Sequence, residues 1–321
     1  MSRTAFRATR SIAVAATLLA VVPAVASAAT RPTATTGGAT KVTPTSVRLV
    51  GSVNPNGART TYLFQYGTTT LYGTSTPITV AGTGTSKITV RVDVANLAPA
   101  TRYHYRIVAH NVKGDGAGGD RNFKTKVQPL ALSLFAKPNP VPFGKGTVLA
   151  GVLTGTGKEG KQIVLQQSPF PHTQGFTQVG SPVVTNAQGA FSFNTVGVAL
   201  NTQFRVLLQS KPSVMSPIVG VGVAPRVSTH VSSTHVSSGA RVRFSGVVRP
   251  RHNGSRVVIQ RKRGSRWRFI AATKLHTRDA TSSKYSRRVV IRHGGSYRVL
   301  VDSADGIYVP STGRTVRIHL R

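Results

Sequence analysis

The acidic side chains on which most hydrolytic mechanisms depend are scarce in this sequence of 321 residues. It contains 42 Lys and Arg but only 7 Asp and Glu, which gives a net charge of +35. Catalysis by paired carboxylates therefore has few candidate residues. The chain also lacks cysteine, which excludes disulfides, thiolate nucleophiles and zinc or iron–sulfur sites built on sulfur.

Serine and histidine chemistry has no recognisable motif either. A Ser–His–Asp site often presents its serine in a Gly-x-Ser-x-Gly turn, and this motif does not occur here. His230 and His235 flank a Ser/Thr-rich segment, and this near-repeat could bind a metal ion. A polar linking strand explains the two histidines more simply. We therefore predict a non-enzymatic protein with no catalytic residue, no cofactor and no metal site.

Arginine in the last third of the chain is the feature that could bind a ligand. Residues 226–321 contain 21 Lys and Arg against 3 Asp, so this segment alone carries a charge of +18. Guanidinium groups suit phosphate, sulfate and carboxylate, which they bind through paired hydrogen bonds. The candidate anion-binding residues are Arg241, Arg243, Arg261, Lys262, Arg263, Arg266, Arg268 and Arg298.

Strand periodicity predicts which of these side chains face solvent. In a strand, neighbouring residues point to opposite faces of the sheet. Val242 and Phe244 are expected to point into the core, which places Arg241 and Arg243 outside. Arg298 alternates in the same way with the apolar residues on either side of it, and it is also expected to be exposed.

A second arginine pair follows the same rule. Trp267 and Phe269 are predicted to point inward, with Arg266 and Arg268 outward and residues 261–263 in an adjoining turn. If these strands share one sheet, the guanidiniums form one solvent-facing surface. Because the aromatic rings would then lie in the core, nothing on that surface could stack on bases, and no specific nucleic-acid binding is expected.

Two interpretations of the charge remain open. In the first, the basic surface docks an anionic cell-envelope polymer, an acidic polysaccharide, lipopolysaccharide or extracellular nucleic acid, with an affinity that falls steeply with salt. In the second, the excess of Arg over Lys, 29 to 13, is a bias of amino-acid composition, and the positive charge only keeps the protein soluble. The protein would then be a passive spacer, or an accessory module of an extracellular glycan-acting system.

The N-terminus has the pattern of a secretory signal peptide. Three arginines within the first ten residues precede an apolar run over residues 11–23, and small residues follow. Cleavage after Ala26 or Ala28 fits the small-x-small rule of signal peptidases. Residues 1–28 are therefore predicted to be removed, which leaves a chain without a membrane span that is secreted and possibly associated with the cell envelope.

The remaining chain alternates with a period of two and shows no helical periodicity. The clearest strand is the stretch of residues 88–94, in which Ile and Val occupy every second position. Turn signals such as Asn-Pro-Asn-Gly at residues 54–57 and Asn-Ala-Gln-Gly at residues 186–189 separate short strands. This pattern predicts an all-β protein built from β-sandwiches.

The stretch of residues 33–125 contains a Leu-x-Pro-x-Thr-x-Tyr-x-Tyr motif at residues 97–105. Together with the turn at residues 54–57 and the Tyr-Leu-Phe-Gln-Tyr-Gly segment at residues 62–67, it resembles a bacterial fibronectin type III domain. The resemblance implies a tyrosine corner, in which the Tyr103 hydroxyl bonds to backbone upstream of it and fixes the loop between two sheets. It also implies an extracellular adhesion or scaffold role.

The last two thirds of the chain contain an internal repeat. Four blocks recur with offsets of about 91 to 95 residues, a constancy that indicates two copies of one domain. The paired blocks are residues 149–153 with 244–248, 162–166 with 256–260, Phe176 with Trp267, and 204–208 with 297–301. Both copies resemble immunoglobulin-like modules. We predict three tandem sandwiches, a fibronectin type III-like module at 33–125 and two immunoglobulin-like modules at 131–225 and 226–321, and no particular oligomeric state.

Overall fold

A computed structural model describes residues 28–210 and 213–321. The predicted signal peptide lies, apart from Ala28, outside these residues. The described chain contains strands, bends and turns and no helix, which confirms the predicted all-β fold, and it offers no helix that could span a membrane. The chain divides into two compact units, the first ending at Lys126 and the second beginning at Val127.

The first unit is a sandwich of two antiparallel sheets. One sheet has the order β1-β2-β6, and the other has the order β4-β3-β7-β8, with β5 pairing with β3 and β9 with β7. The strands are β1 (Thr33–Thr36), β2 (Val47–Asn54), β3 (Thr60–Gly67), β4 (Thr74–Ser75), β5 (Thr79–Gly82), β6 (Ile88–Val94), β7 (Arg102–Asn111), β8 (Gly114–Ala117) and β9 (Arg121–Lys124).

Strict alternation along β2 and β7 builds the core of this unit. Leu49 from one sheet and Phe64, Tyr105 and Ile107 from the other are fully buried between them. Gly51 leaves room for the opposite sheet, because a Cβ atom there would lie 2.9 Å from the Ile107 side chain.

Tyr103 ties the loop before β7 to the sandwich. Its hydroxyl accepts a hydrogen bond of 2.9 Å from the backbone N–H of Ala98, which is the upstream bond that the family resemblance implies. Its ring stacks on Phe123 at 5.6 Å, and the Thr125 hydroxyl donates to the Ala98 carbonyl at 2.7 Å. The loop thereby satisfies its backbone groups without a strand partner.

The second unit contains two hydrophobic cores, and the first of them belongs to the middle sandwich. Its sheets are β10-β13-β11 with β17 on β13, and β15-β14-β18-β19 with β16 on β14 and β20 on β18; β12 and β21 form a parallel pair. The strands are β10 (Ala131–Leu132), β11 (Phe135–Lys137), β12 (Val141–Pro142), β13 (Val148–Thr154), β14 (Gln162–Pro169), β15 (Thr177–Gln178), β16 (Val183–Val184), β17 (Ala190–Asn194), β18 (Thr202–Leu208), β19 (Val214–Met215), β20 (Val219–Val221) and β21 (Val223–Ala224).

The last sandwich encloses the second core of this unit. We call its sheets the β25 sheet, of order β22-β25-β29-β28 with β23 on β25, and the β26 sheet, of order β24-β32-β30-β26-β27 with β31 on β30. The strands are β22 (Arg226–Val227), β23 (His230–Val231), β24 (His235–Val236), β25 (Ala240–Arg249), β26 (Arg256–Arg263), β27 (Arg266–Lys274), β28 (His276–Thr277), β29 (Ser283–Ile291), β30 (Gly295–Asp302), β31 (Ser311–Thr312) and β32 (Val316–Leu320).

A loop of the last sandwich packs into the middle one. Tyr308 is buried in the core that β13, β14 and β18 enclose, and the backbone N–H of Val309 donates to the Val223 carbonyl at 2.9 Å. Asn201 donates to the Gly306 carbonyl through its side chain at 2.7 Å. These contacts explain why the two sandwiches form one compact unit.

The tyrosine corner gives a direct prediction for local stability. Tyr103→Phe removes the partner of the Ala98 N–H, and the loss of such a hydrogen bond costs about 1 kcal/mol. Amide hydrogen exchange across residues 94–104 should therefore become faster by about fivefold or more. Tyr66→Phe, at a half-buried tyrosine in β3 of the same unit, is the matched control; equal exchange in both variants would contradict this role for Tyr103.

Candidate anion-binding surfaces

The outer face of the β25 sheet carries a row of cationic side chains. Alternation buries Val242 and Phe244 in the core and leaves Arg241 and Arg243 exposed, as the sequence predicted. The cross-strand partners of β25 in β22 and β29 add further basic residues to the same face. We call this surface the arginine face and define it by Arg226, Arg241, Arg243, Arg249, Lys284 and Arg288.

No carboxylate neutralises the arginine face. None of the five strands in this sheet contains an Asp or Glu, and none of the six cations forms an ion pair with another described residue. Arg243 lies directly opposite Arg288 in the ladder, an arrangement in which like charges repel each other. An anionic ligand that bound here would relieve this repulsion.

The candidate arginines do not share one sheet, so the condition for a single guanidinium surface is not met. Arg241 and Arg243 belong to the β25 sheet, whereas residues 261–268 and Arg298 belong to the β26 sheet. The hydrophobic core lies between these sheets, so Lys262 and Arg298, on the outer face of the β26 sheet, point away from Arg241 and Arg243. Arg261, Lys262 and Arg263 also lie within β26 rather than in a turn, and the turn follows at Gly264.

The predicted orientation of Trp267 and Phe269 is wrong as well, because β27 contains a β-bulge. Ile259 pairs with Ala271 and Gln260 with Phe269, so that Ile270 has no residue opposite it. One extra residue shifts the alternation by one position. Trp267 therefore lies partly buried on the outer face and Phe269 is exposed there, while Arg266 and Arg268 lie on the opposite side of the hairpin.

Arg298 is held against Trp267 rather than extended into solvent. Its Nε donates a hydrogen bond of 2.8 Å to the Gln260 Oε1, and its guanidinium carbon lies 4.3 Å from the centroid of the indole ring. Desolvation in this position lowers the pKa of Arg298 from its ordinary value, and the indole supplies a cation–π contact. The predicted anion-binding role of Arg298 thus competes with an interaction inside the sheet.

The other two sandwiches contain the same arrangement, which the sequence analysis missed. In the middle sandwich Arg205 donates to Gln166 at 2.8 Å and lies 4.1 Å from the Phe176 ring. In the first unit Arg106 donates to Gln65 at 2.8 Å and lies 5.0 Å from the Tyr72 ring. The internal repeat could have predicted this arrangement in the middle sandwich and the last one, because the Gln, the aromatic residue and the Arg occupy corresponding positions in both copies.

We call the outer face of the β26 sheet the aromatic face. Trp267 lies directly opposite Lys262, and Arg256 lies with its guanidinium carbon 5.9 Å from the Phe269 ring centroid. The face thus combines aromatic rings with cationic groups, whereas the arginine face has cations alone. Its defining residues are Arg256, Lys262, Trp267, Phe269, Arg298 and Arg317.

Most of the aspartates have local partners that account for their positions. Asp93 pairs with Arg48, Asp115 with His110, Asp120 with His104, and Asp305 with His252. Hydrogen bonds from Ser282 and then Thr281 hold the pKa of the Asp279 carboxyl well below its usual range. These contacts stabilise loops and strand pairs.

Within residues 28–210 and 213–321, no group of three or more His, Asp or Glu side chains could hold a metal ion. His230 and His235 do not converge, because β23 pairs with β25 while β24 pairs with β32. The His235 ring instead stacks on His319, with centroids 5.0 Å apart. A cavity of about 570 Å³ in the middle sandwich is lined by apolar and amide or hydroxyl residues, among them Gln167, Val198 and Phe204.

No family model and no curated protein matches this sequence. Among solved structures, a tetra-tandem repeat from the extending region of a large adhesion protein is 12% identical over 91% of this chain and 75% of that chain, with a TM-score of 0.31. The FN1-FN3 domains of chicken CNTN1 are 16% identical over 91% and 99%, with a TM-score of 0.28. Consecutive domains from titin are 12% identical over 90% and 99%, with a TM-score of 0.35.

The stacked pair of Arg298 and Trp267 can be tested through Trp267, the single tryptophan of the chain. Arg298→Lys removes the planar guanidinium group that donates a hydrogen bond to Gln260 and covers the indole ring of Trp267. We expect red-shifted tryptophan emission and a free energy of unfolding of the last sandwich lower by about 1 kcal/mol. Arg268→Lys, at an exposed position on the opposite side of the hairpin, is the control, and unchanged emission in Arg298→Lys would refute the stacking.

Proposed function

We propose that this protein is a secreted, non-enzymatic binding or scaffold protein whose last sandwich attaches to anionic cell-envelope polymers or acidic polysaccharide. The observation that carries this proposal is the arginine face, which holds six cations and no carboxylate. The signal-peptide pattern at the N-terminus supports export.

The shape of the arginine face suits an extended polymer better than a small molecule. Its cations come from three neighbouring strands of one sheet, namely β22, β25 and β29. A polymer lying across the strands could pair successive carboxylates, sulfates or phosphates with successive guanidiniums. Such binding gains free energy from the release of counterions, so its strength decreases steeply as salt increases.

The uneven distribution of charge supports different roles for the last sandwich and the two that precede it. Residues 29–130 contain 12 basic and 3 acidic residues, and residues 131–225 contain 6 and 1, against 21 and 3 in the last segment. In our proposal the last sandwich attaches the protein to the polymer. The preceding sandwiches act as a scaffold, in keeping with the adhesion role that the resemblance of residues 33–125 implies.

The proposal predicts that the position of the arginines matters more than their number. Arg241→Ser, Arg243→Ser and Arg288→Ser in one variant remove three charges from the arginine face. Arg263→Ser, Arg266→Ser and Arg268→Ser remove three exposed charges from the β26–β27 hairpin. On immobilised alginate, a polyuronate, we expect the first variant to bind about tenfold more weakly at 0.1 M salt and the second to bind nearly as the natural protein does.

Two outcomes would contradict the proposal. Equal weakening in both variants would show that only net charge matters. No retention of the natural protein on alginate or on an immobilised phosphate polymer would favour the alternative, a passive spacer or accessory module without a ligand of its own.

A further inference from the structure

The aromatic face offers a chemistry that the arginine face lacks. Phe269 is 58% exposed and Trp267 is partly buried, and the bulge at Ile270 places both on the outer side of β27. Cationic side chains from three strands surround them: Arg256 and Lys262 from β26, Arg298 from β30 and Arg317 from β32. An exposed ring of this size beside guanidiniums can stack on a planar or apolar ring of a ligand.

The charged groups of the aromatic face are almost all hydrogen-bond donors. Arg256, Lys262 and Arg317 can only donate, and the Gln260 carbonyl oxygen is already bonded to Arg298. Among the described strands of the β26 sheet, the single carboxylate is Asp302, which lies opposite Arg256. Polysaccharide hydroxyls need acceptors as well as donors, whereas phosphodiester oxygens need donors alone. This face therefore fits phosphodiesters better than it fits sugars.

We propose that the aromatic face binds single-stranded nucleic acid without sequence preference. Unpaired bases stack on Phe269 beside the Arg298–Trp267 pair, while Arg256, Lys262 and Arg317 contact the phosphates. Stacking of this kind is tolerant of sequence because every base has a π-face. A duplex keeps its bases stacked inside and offers only phosphates, so it should bind by charge alone.

This inference is independent of the polymer-binding proposal, since it concerns the opposite sheet and a different ligand. It also removes the ground for expecting no specific nucleic-acid binding. That expectation required Trp267 and Phe269 to lie in the core, where they could not stack on bases. The bulge places both rings on the surface instead.

The test uses the fluorescence of Trp267 in the full chain, because no other tryptophan contributes to the signal. The chain is titrated with an oligothymidylate of about 12 nucleotides, with a duplex of the same length and with inorganic polyphosphate. We expect the oligothymidylate to quench Trp267 and to retain measurable binding at salt concentrations that release polyphosphate. The duplex and polyphosphate should bind without quenching.

Two single substitutions separate stacking from charge without changing the net charge. Phe269→Ser should weaken oligothymidylate binding by about tenfold and leave polyphosphate binding unchanged. Phe135→Ser removes a ring of similar exposure, 56%, from β11 of the middle sandwich and should change neither. The variant with Arg241, Arg243 and Arg288 changed to Ser should still show quenching by oligothymidylate.

Three results would overturn this inference. The first is saturable oligothymidylate binding with no change in Trp267 fluorescence, and the second is a Phe269→Ser variant that binds as the natural protein does. The third is an equal loss of oligothymidylate and polyphosphate binding in that variant, which would show that both ligands bind through charge alone. Retention on alginate is measured separately, so failure here leaves the polymer-binding proposal standing.

Discussion

The hydrophobic core of the last sandwich determines where its excess positive charge can lie. A charge buried without a partner is costly, and the apolar positions of β25, β26, β29 and β30 fill the space between the sheets. Cationic side chains therefore occupy both outer faces, which point in opposite directions about one sheet-to-sheet spacing of roughly 10 Å apart at the backbone. Arg263, Arg266 and Arg268 instead extend into solvent from the other side of the β26–β27 hairpin. One sandwich thus presents two basic surfaces of different chemistry.

The difference between these surfaces comes from a single extra residue. Along β25 the ladder with β29 is uninterrupted, and the sequence pattern therefore predicted the orientations of Val242 and Arg243 correctly. Along β27 the same reasoning failed at Trp267, because Ile270 bulges out and reverses the alternation on its N-terminal side. No residue type marks this bulge in the sequence, since the bulged position is Ile270, a common strand residue, rather than glycine.

The sequence pattern also did not predict which strands pair with each other. The alternation predicted an all-β chain and exposed arginines, but the assignment of Arg241 and Arg266 to one sheet required the order of strands. That order depends on contacts between residues distant in the chain. The repeat was more informative, because corresponding positions in its two copies carry the same Arg, Gln and aromatic residues. The structure shows the same arrangement in the first unit as well.

These three arrangements have one geometry in different electrostatic surroundings. In each sandwich the arginine bonds a glutamine on the neighbouring strand and packs on an aromatic ring, which protects the outer face of the central strand pair. In the first two sandwiches few further cations surround it. In the last sandwich the same arginine lies within a strongly basic face, so a feature that stabilises the sheet also contributes to a surface suited to anions.

In our proposal the arginine face, rather than the net charge of the protein, contacts an anionic polymer. The most direct measurement is residue-resolved chemical modification of arginine, read by mass spectrometry with and without saturating alginate. The account predicts that Arg241, Arg243 and Arg288 become protected while Arg263, Arg266 and Arg268, which are exposed on the other sheet, stay reactive. Uniform protection of all six, or protection confined to the β26–β27 hairpin, would contradict it.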